Sequence, residues 1–227
     1  MARAGERIYN PVQGDWIEFR QTAQDTGGEL MSGELVVSPR GGNPLHVHPL
    51  QEEHFEVLSG TLGVQIGDEQ RSLGEEEEAT VPPGTPHRWF NESDDEEAHV
   101  LVELRPALNT ETFFETLYGL ARDGRTDENG APNILQQAVT FNGINKGEIY
   151  LAWPPVAVQK ALLAALAPVG RLLGYKDHYP RYSAEDGTGG AEPPSTASVM
   201  ARGAALVGRL VVASTFLIGK TRHRSKL

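Results

Sequence analysis

The sequence predicts a mainly β protein, a sandwich or barrel of short strands followed by a C-terminal α-helical extension. Between residues 8 and 105, short apolar runs such as Leu35-Val36-Val37 are separated by turn residues rich in glycine and proline. Apolar residues also alternate within the runs, as they do at Leu62, Val64 and Ile66. Many short strands at close spacing are typical of a sandwich or barrel and not of alternating strand–helix units.

The spacing of the apolar residues lengthens after Pro106, which indicates helices. Asn109 or Thr110 can cap a first helix. A second helical stretch is expected around residues 134–139. The apolar side of the first helix is formed by Phe113, Phe114, Leu117, Tyr118 and Leu120.

A third helix is predicted over residues 156–173, opened by Pro155 and kinked at Pro168. We expect the helices to pack on the barrel, and one of them to cover its mouth. One face of the third helix carries Leu162, Leu166, Val169 and Leu173.

Composition divides the chain into four segments. Residues 1–106 are predicted to form the β-barrel domain and residues 107–182 a helical extension packed on it. Residues 183–199 are rich in Gly, Pro and Ser without apolar periodicity, which is typical of a flexible linker. Residues 200–227 contain no acid and are predicted to form a basic amphipathic tail helix.

The tail has two alternative uses if it folds as a helix. Its basic stripe and its apolar stripe would suit the surface of an anionic membrane, and they would equally suit an acidic protein body. Disorder is the third alternative. A membrane-spanning role is disfavoured because Arg209 interrupts the apolar run. The two stripes consist of Arg202, Arg209 and Lys220, and of Leu206, Leu210, Ala213 and Leu217.

Charge and composition exclude several classes of function. The formal net charge of −11 argues against nucleic acid as a partner, because phosphate binding needs a basic face. The chain has no cysteine, so disulfides and thiolate metal sites are excluded. The first residues lack the apolar region of a secretory signal, and we therefore expect a cytoplasmic protein, peripheral to the membrane if the tail binds lipid.

A group of histidines and one carboxylate indicates a metal site. His46 and His48 are two residues apart, so on a strand both side chains point to the same face. Glu53 begins the next apolar run, and the turn at residues 82–86 can direct His87 back into the same barrel. Three imidazoles and one carboxylate suit one divalent ion of Fe, Mn, Ni, Zn, Co or Cu, with positions left open for water or substrate.

Two motifs resemble those of the cupin superfamily. The stretch from His46 to Glu53, followed by six residues and Gly60, is similar to the first cupin motif. The stretch from Pro82 to His87, with Asn91 after three more residues, is similar to the second. The resemblance covers about residues 30–105. It implies a double-stranded β-helix, or jelly-roll barrel, with a metal ion in its pocket and a homodimeric assembly.

The resemblance also selects among neighbouring residues. The six-residue spacing to Gly60 selects Glu53 over Glu52, and strand alternation then turns Glu52 and His54 outward. The motif's usual glycine lies six positions before its first histidine, whereas Gly41 and Gly42 lie five and four positions before His46. That departure concerns the length of a loop and no ligand position.

Strand parity extends the site to a substrate pocket. Phe55, Val57 and Trp89 share the parity of Glu53 and His87, so they should line the pocket or pack as core. Asn91 is expected to stabilise a turn. His99, Glu103 and Arg105 share one face of a late strand, which we expect to face solvent. If that face pointed inward, Arg105 would anchor a substrate carboxylate.

Two hypotheses for function follow. The first is an enzyme that acts on a small organic molecule in the pocket by dioxygenase-like, isomerase or lyase chemistry, since a metal with open positions can bind O₂ or polarise a carbonyl. The second is a non-catalytic module that binds or senses a small metabolite. Turnover distinguishes the two, and metal content does not.

Overall fold

The computed structural model describes residues 2–145 and 148–183. The predicted linker beyond residue 183 and the predicted basic tail lie outside the described residues. Within the described part, eleven strands form two antiparallel sheets: β1 Arg7–Tyr9, β2 Trp16–Gln21, β3 Met31–Val37, β4 His46–Val47, β5 Glu52–Ser59, β6 Leu62–Ile66, β7 Glu69–Leu73, β8 Glu78–Val81, β9 His87–Asn91, β10 Ala98–Arg105 and β11 Tyr150–Leu151.

The connection between β4 and β5 takes the chain from one sheet to the other. One sheet has the order β1-β2-β3-β10-β5-β8 and the other the order β11-β4-β9-β6-β7. β4 pairs with β9 in the second sheet, where His46 lies opposite His87. β5 pairs with β8 and β10 in the first sheet. Side chains just before residues 48–51 therefore lie on the inner face of one sheet, and side chains just after them lie on the inner face of the other.

Alternating burial along the strands confirms the predicted β pattern. In β5, Glu53, Phe55 and Val57 are buried, and the residues between them are more exposed. In β10, Val100, Val102 and Leu104 are likewise buried. Each large apolar side chain removed from water in this way contributes about 1.5–3 kcal/mol, so the space between the sheets is the main source of stability. The predicted mainly β fold with helices at its C-terminal end is correct.

Three α-helices follow the barrel within the described residues: α1 Thr110–Arg122, α2 Ile134–Asn142 and α3 Val156–Leu172. α1 contributes Tyr118 to the main core. α2 and α3 form a second apolar cluster that includes Val47 of β4 and Tyr150 of β11. No helix in the described part of the chain has both the length and the apolar character needed to cross a membrane.

The packing face of α3 differs from the face that the sequence suggested. Of the predicted face, Leu162, Val169 and Leu173 are exposed, and Leu166 is partly buried against the second apolar cluster. The buried side is formed by Leu163, Ala167 and Gly170. A Cβ atom on Gly170 would lie 2.6 Å from Cγ2 of Val139 on α2. The two helices therefore approach closely at small residues, a contact that the positions of large apolar side chains do not indicate.

The first helix also begins differently from the expectation. Asn109 occupies the cap position of α1, but its side chain makes no capping hydrogen bond. Its amide Nδ2 donates instead to Oε1 of Glu148 at 2.8 Å and to the carbonyl oxygen of Ile144 at 3.0 Å. Asn109 therefore ties the start of α1 to the segment that leads into β11.

A buried carboxyl lies between β1 and β2. Asp15 is 1% exposed, and its Oδ1 accepts a hydrogen bond from the backbone nitrogen of Ser38 at 3.2 Å. Its Oδ2 has no hydrogen-bond partner among the described residues. Burial raises the pKa of Asp15 to about 7, because the charged form loses its hydration there.

Asp15 should make stability depend on pH. Its folded pKa lies above the unfolded value of about 3.9, so the folded state binds the proton more tightly and stability falls as pH rises from about 4 to about 7. Between pH 5 and pH 8, this group should remove roughly 2–3 kcal/mol from the free energy of unfolding. Urea unfolding of wild-type protein and Asp15→Asn across this range checks it: the difference between the two curves should change with pH. Parallel curves would contradict the assignment.

Candidate metal centre

Four side chains from three strands and one loop meet between the sheets. His46 and His87 come from the paired strands β4 and β9, His48 follows β4 directly, and Glu53 lies on β5 of the other sheet. The turn before β9 is fixed by Gly84, whose φ of 78° suits glycine and whose nitrogen donates to the carbonyl oxygen of His48 at 2.8 Å. The predicted return of the chain at this turn is thus observed.

The four side chains offer ligand atoms within 4.8 Å of one another, and all four are buried. Nε2 of His87 lies 2.7 Å from Oε2 of Glu53, and Nε2 of His48 lies 3.5 Å from the same oxygen. Nε2 of His46 lies 4.0 Å from that oxygen and 3.1 Å from Nε2 of His48. The group therefore converges on one point with its Nε2 atoms and a single carboxylate oxygen.

Each imidazole is oriented through its other nitrogen. Nδ1 of His46 lies 3.0 Å from the carbonyl oxygen of Pro44, and Nδ1 of His87 lies 2.8 Å from that of Thr85. Nδ1 of His48 lies 3.2 Å from Oε1 of Gln51. Because carbonyl oxygens only accept hydrogen bonds, Nδ1 carries the hydrogen in His46 and His87. A donor at Nδ1 leaves Nε2 as the nitrogen that can bind a metal.

Burial and mutual contact set the protonation of the group. Burial lowers the pKa of His46 to about 3 and also lowers the pKa of His48, since a charged ring loses its hydration there. Burial raises the pKa of Glu53, but the hydrogen bond to His87 and the neighbouring imidazoles outweigh it and bring the pKa to about 2.

His87 behaves differently from the other two histidines. Burial lowers its pKa, but the hydrogen bond and the negative charge of Glu53 raise it overall. Without metal, the site therefore favours an ion pair of His87 with Glu53 beside two neutral imidazoles. A metal ligand must be deprotonated, so metal binding would release the proton from His87.

The donor set fits a divalent metal ion. Two nitrogens that bind the same ion at about 2.1 Å, at an angle of about 90°, lie about 3 Å apart. Nε2 of His46 and Nε2 of His48 lie 3.1 Å apart, which is close to that distance. In addition, two bare Nε2 lone pairs facing each other at this distance repel unless a cation lies between them. Imidazole and carboxylate ligands suit Fe, Mn, Ni, Zn, Co and Cu alike, so the ligands leave the identity of the ion open.

The predicted pocket residues lie in the main core. Phe55 and Val57 are each 1% exposed, and Trp89 is also buried. They follow Glu53 and His87 on the same faces of β5 and β9, as parity predicts. Their contact with a substrate stays a prediction.

Other residues near the motifs turn outward or serve the fold. Nδ1 of His54 shares a hydrogen bond with Oγ1 of Thr80. Arg105 is exposed and forms an ion pair with Glu103 at 2.8 Å. The inward alternative for Arg105 is therefore wrong. Asn91 donates to the carbonyl oxygens of Val37 at 2.9 Å and Glu96 at 2.8 Å, which confirms its role in a turn.

Gln51 was missed by the sequence reasoning. It is fully buried and contacts His48, yet the sequence places it in a turn between Pro49 and Glu52, where a glutamine usually faces solvent. Its position three residues after a ligand histidine is the one signal that could have drawn attention to it.

Comparison with known proteins identifies the family. The model of the Cupin domain family matches residues 33–102, which contain all four side chains of the centre. The probable oxidoreductase virH of Hypocrea virens is 31% identical over 202 residues, which cover 81% of this chain and 89% of virH. The probable oxidoreductase patJ of Aspergillus clavatus is 30% identical over 192 residues, which cover 77% of this chain but 58% of patJ. Among solved structures, an RmlC-like cupin from Shewanella frigidimarina is 17% identical and covers 45% of this chain and 85% of its own, with a TM-score of 0.40. The chain belongs to the cupin superfamily.

Proposed function

We propose that this protein is an oxidoreductase that acts on a small organic molecule at one metal ion held by His46, His48, Glu53 and His87. The observation that carries the proposal is the buried group of three inward Nε2 atoms and one carboxylate oxygen. The names of virH and patJ support oxidoreductase chemistry over the isomerase and lyase alternatives.

Some residues of the site would hold the ion, and others would exclude water from it. The three imidazoles and Glu53 would provide the ligands, and the carboxylate would offset part of the ion's charge. Phe55 and Trp89 would present apolar surface to the substrate and exclude water. A redox-active divalent metal would supply one-electron chemistry and open coordination positions when bound.

Dioxygenase-like oxidation is a form of the proposal that would need O₂ as its only co-substrate. Both oxygen atoms enter the product in such a reaction, so the electrons balance without an external reductant. The alternative of a binding or sensing module would require the same ligands and pocket, and differs only in the absence of turnover.

An oxygen-consumption assay tests the proposal. Protein reconstituted with Fe(II), Mn(II), Ni(II), Co(II), Cu(II) or Zn(II) is mixed with a panel of small organic acids, phenols and polyketide-like compounds, and O₂ uptake and products are followed. We expect uptake with a redox-active ion and no uptake by the His48→Ala variant. Stabilisation by a compound without turnover would favour the binding module, and anaerobic conversion would favour an isomerase or lyase.

We also propose that the protein is a homodimer and that α3 is the contact surface. An exposed apolar stripe runs along α3 with intervals of four and three residues, the spacing with which helices pack against each other. The two charged residues of α3, Lys160 and Arg171, lie on the opposite side of the helix from the stripe. The stripe consists of Val158, Leu162, Ala165, Val169 and Leu172.

Sedimentation velocity tests this assembly. The wild-type chain should sediment as a dimer at micromolar concentration, and Leu162→Glu should shift it to a monomer because a charge would be buried in the contact. Leu58→Glu, at an exposed leucine of the barrel, is the control and should stay dimeric. A wild-type monomer at all concentrations would reject the proposal.

A further inference from the structure

Gln51 links one ligand of the metal centre to the helical extension. It lies in the turn between β4 and β5 and is 1% exposed. We propose that Gln51 is a positioning residue, which fixes the tautomer and the ring orientation of His48 and ties both to the start of α1. The inference rests on the proposed metal centre.

The contacts of the Gln51 side chain reach in two directions. Its Oε1 lies 3.2 Å from Nδ1 of His48. Its Nε2 donates to the carbonyl oxygen of Pro106 at 2.9 Å and to Oγ1 of Thr110 at 2.9 Å, with the carbonyl oxygen of Ala107 at 3.3 Å. One amide thus joins the ligand loop to the first residues of the helical extension, 55 to 59 positions later in the chain.

The neighbours of Gln51 allow only one orientation of its amide. The carbonyl oxygens of Pro106 and Ala107 are acceptors only. The hydroxyl of Thr110 donates its hydrogen to the carbonyl of Ala107 at 2.8 Å, so towards Gln51 it can only accept. A flipped amide would direct Oε1 at three acceptors, so none of the three could receive a hydrogen bond from Gln51.

The fixed amide in turn determines the state of His48. Oε1 of Gln51 must face the imidazole and can only accept, so Nδ1 of His48 carries the hydrogen and Nε2 keeps its lone pair for the metal. His46 and His87 obtain the same orientation from backbone carbonyls two residues earlier. His48 also has a backbone hydrogen bond with Glu148, but it is the ligand of this centre whose Nδ1 faces a glutamine that is tied to the start of α1.

A second buried glutamine provides a matched control. Gln136 on α2 is also 1% exposed. Its Nε2 donates to Oγ1 of Thr140 at 2.9 Å and to the carbonyl oxygen of Lys176 at 2.7 Å, and its Oε1 accepts from Tyr179 at 2.7 Å. It has the same kind of hydrogen bonds as Gln51 and contacts none of the four ligands.

The experiment compares Gln51→Met, Thr110→Val and Gln136→Met. Zn(II) affinity is measured by chelator competition, and the histidine tautomers of the metal-free protein are measured by ¹⁵N NMR. Gln51→Met should weaken Zn(II) binding by roughly 10–100-fold and give His48 a mixture of tautomers. Thr110→Val should change the Zn(II) affinity and the His48 tautomer in the same direction, but by less. Gln136→Met should leave the Zn(II) affinity within about two-fold of wild type, although its melting temperature also falls.

The outcomes separate this inference from the proposed function. A Gln51→Met variant with wild-type affinity and an unchanged His48 tautomer would overturn the positioning role while the metal centre stood. An equal loss of affinity in Gln136→Met would assign the effect to general destabilisation and overturn it as well. A wild-type protein that binds no Zn(II), Fe(II), Mn(II) or Ni(II) would reject the metal centre itself.

Discussion

His48→Ala should reduce bound metal to well under one equivalent and leave the β-rich circular dichroism spectrum largely intact. Loss of a residue that merely orients a ligand costs 10–100-fold in metal affinity, so loss of the ligand itself should cost more than about 100-fold. The barrel should persist because the main core contains none of the atoms removed. Metal analysis after dialysis, together with far-ultraviolet circular dichroism, measures both results.

His48 is a cleaner test of the site than His87. Nε2 of His87 lies 2.7 Å from Oε2 of Glu53, so His87→Ala would leave a buried carboxylate without its closest partner. Breaking a buried ion pair from one side costs about 3–5 kcal/mol, and loss of metal could then follow from loss of folding. His48 lies 3.5 Å from the same oxygen, and its removal leaves the pair of His87 with Glu53 in place.

His54 supplies the control for His48. It lies on β5 next to Glu53, but its ring turns outward and makes a hydrogen bond with Thr80 at 2.9 Å. His54→Ala should keep one equivalent of metal. If His48→Ala retained full occupancy, or if His54→Ala lost it, the assignment of the four ligands would be wrong.

The candidate site was predictable because strand geometry converts sequence spacing into position. Two residues on a strand separated by one always share a face, which brought His46 and His48 together before any tertiary information was available. The position of β9 was also predictable, because the turn with Gly84 marks where the chain returns to the barrel. His87 then lies opposite His46. Short-range rules placed His46 and His48 on one face, and the resemblance to the two cupin motifs joined Glu53 and His87 to them.

The orientation of the ligands was not predictable in the same way. The hydrogen bonds from Gln51 to Pro106 and Thr110 join residues more than fifty positions apart, and no local propensity encodes them. The same limit explains α3, where contact with α2 through Gly170 decided the buried face. Periodicity identifies an apolar face, but it does not say which of two apolar faces a partner will cover.

Loop lengths were a further point that spacing alone did not settle. The first motif has its glycines closer to His46 than usual, yet a Cβ atom on Gly42 would lie 2.8 Å from Cβ of Phe90 on β9. The residue that precedes the ligands thus still needs to be glycine, because the two backbone segments bridge there. The unusual glycine spacing therefore changes only where the chain approaches Phe90 closely. It leaves His46 paired with His87.

Glu53 and Glu52 are adjacent carboxylates with opposite surroundings. Glu53 is 5% exposed and faces the three imidazoles, whereas Glu52 lies on the outer side of β5, paired in register with Arg105 of β10. The pKa of Glu53 is lowered to about 2, since its hydrogen bond with His87 and the nearby imidazoles outweigh the effect of burial. Glu53 is therefore the anionic member of the site at neutral pH.

Glu53→Gln should weaken metal binding by at least about 100-fold, and Glu52→Gln should leave it within about two-fold of wild type. Glutamine keeps the shape of the side chain but removes the negative charge, so the site would have to hold a divalent ion with neutral ligands alone in a poorly hydrated space. Isothermal titration with Zn(II) and Mn(II) gives the two affinities. The variants compared are matched for melting temperature in the absence of metal. Equal losses in the two variants, or a larger loss in Glu52→Gln, would mean that β5 is shifted by one residue, because a one-residue slip exchanges the inward and outward faces of a strand.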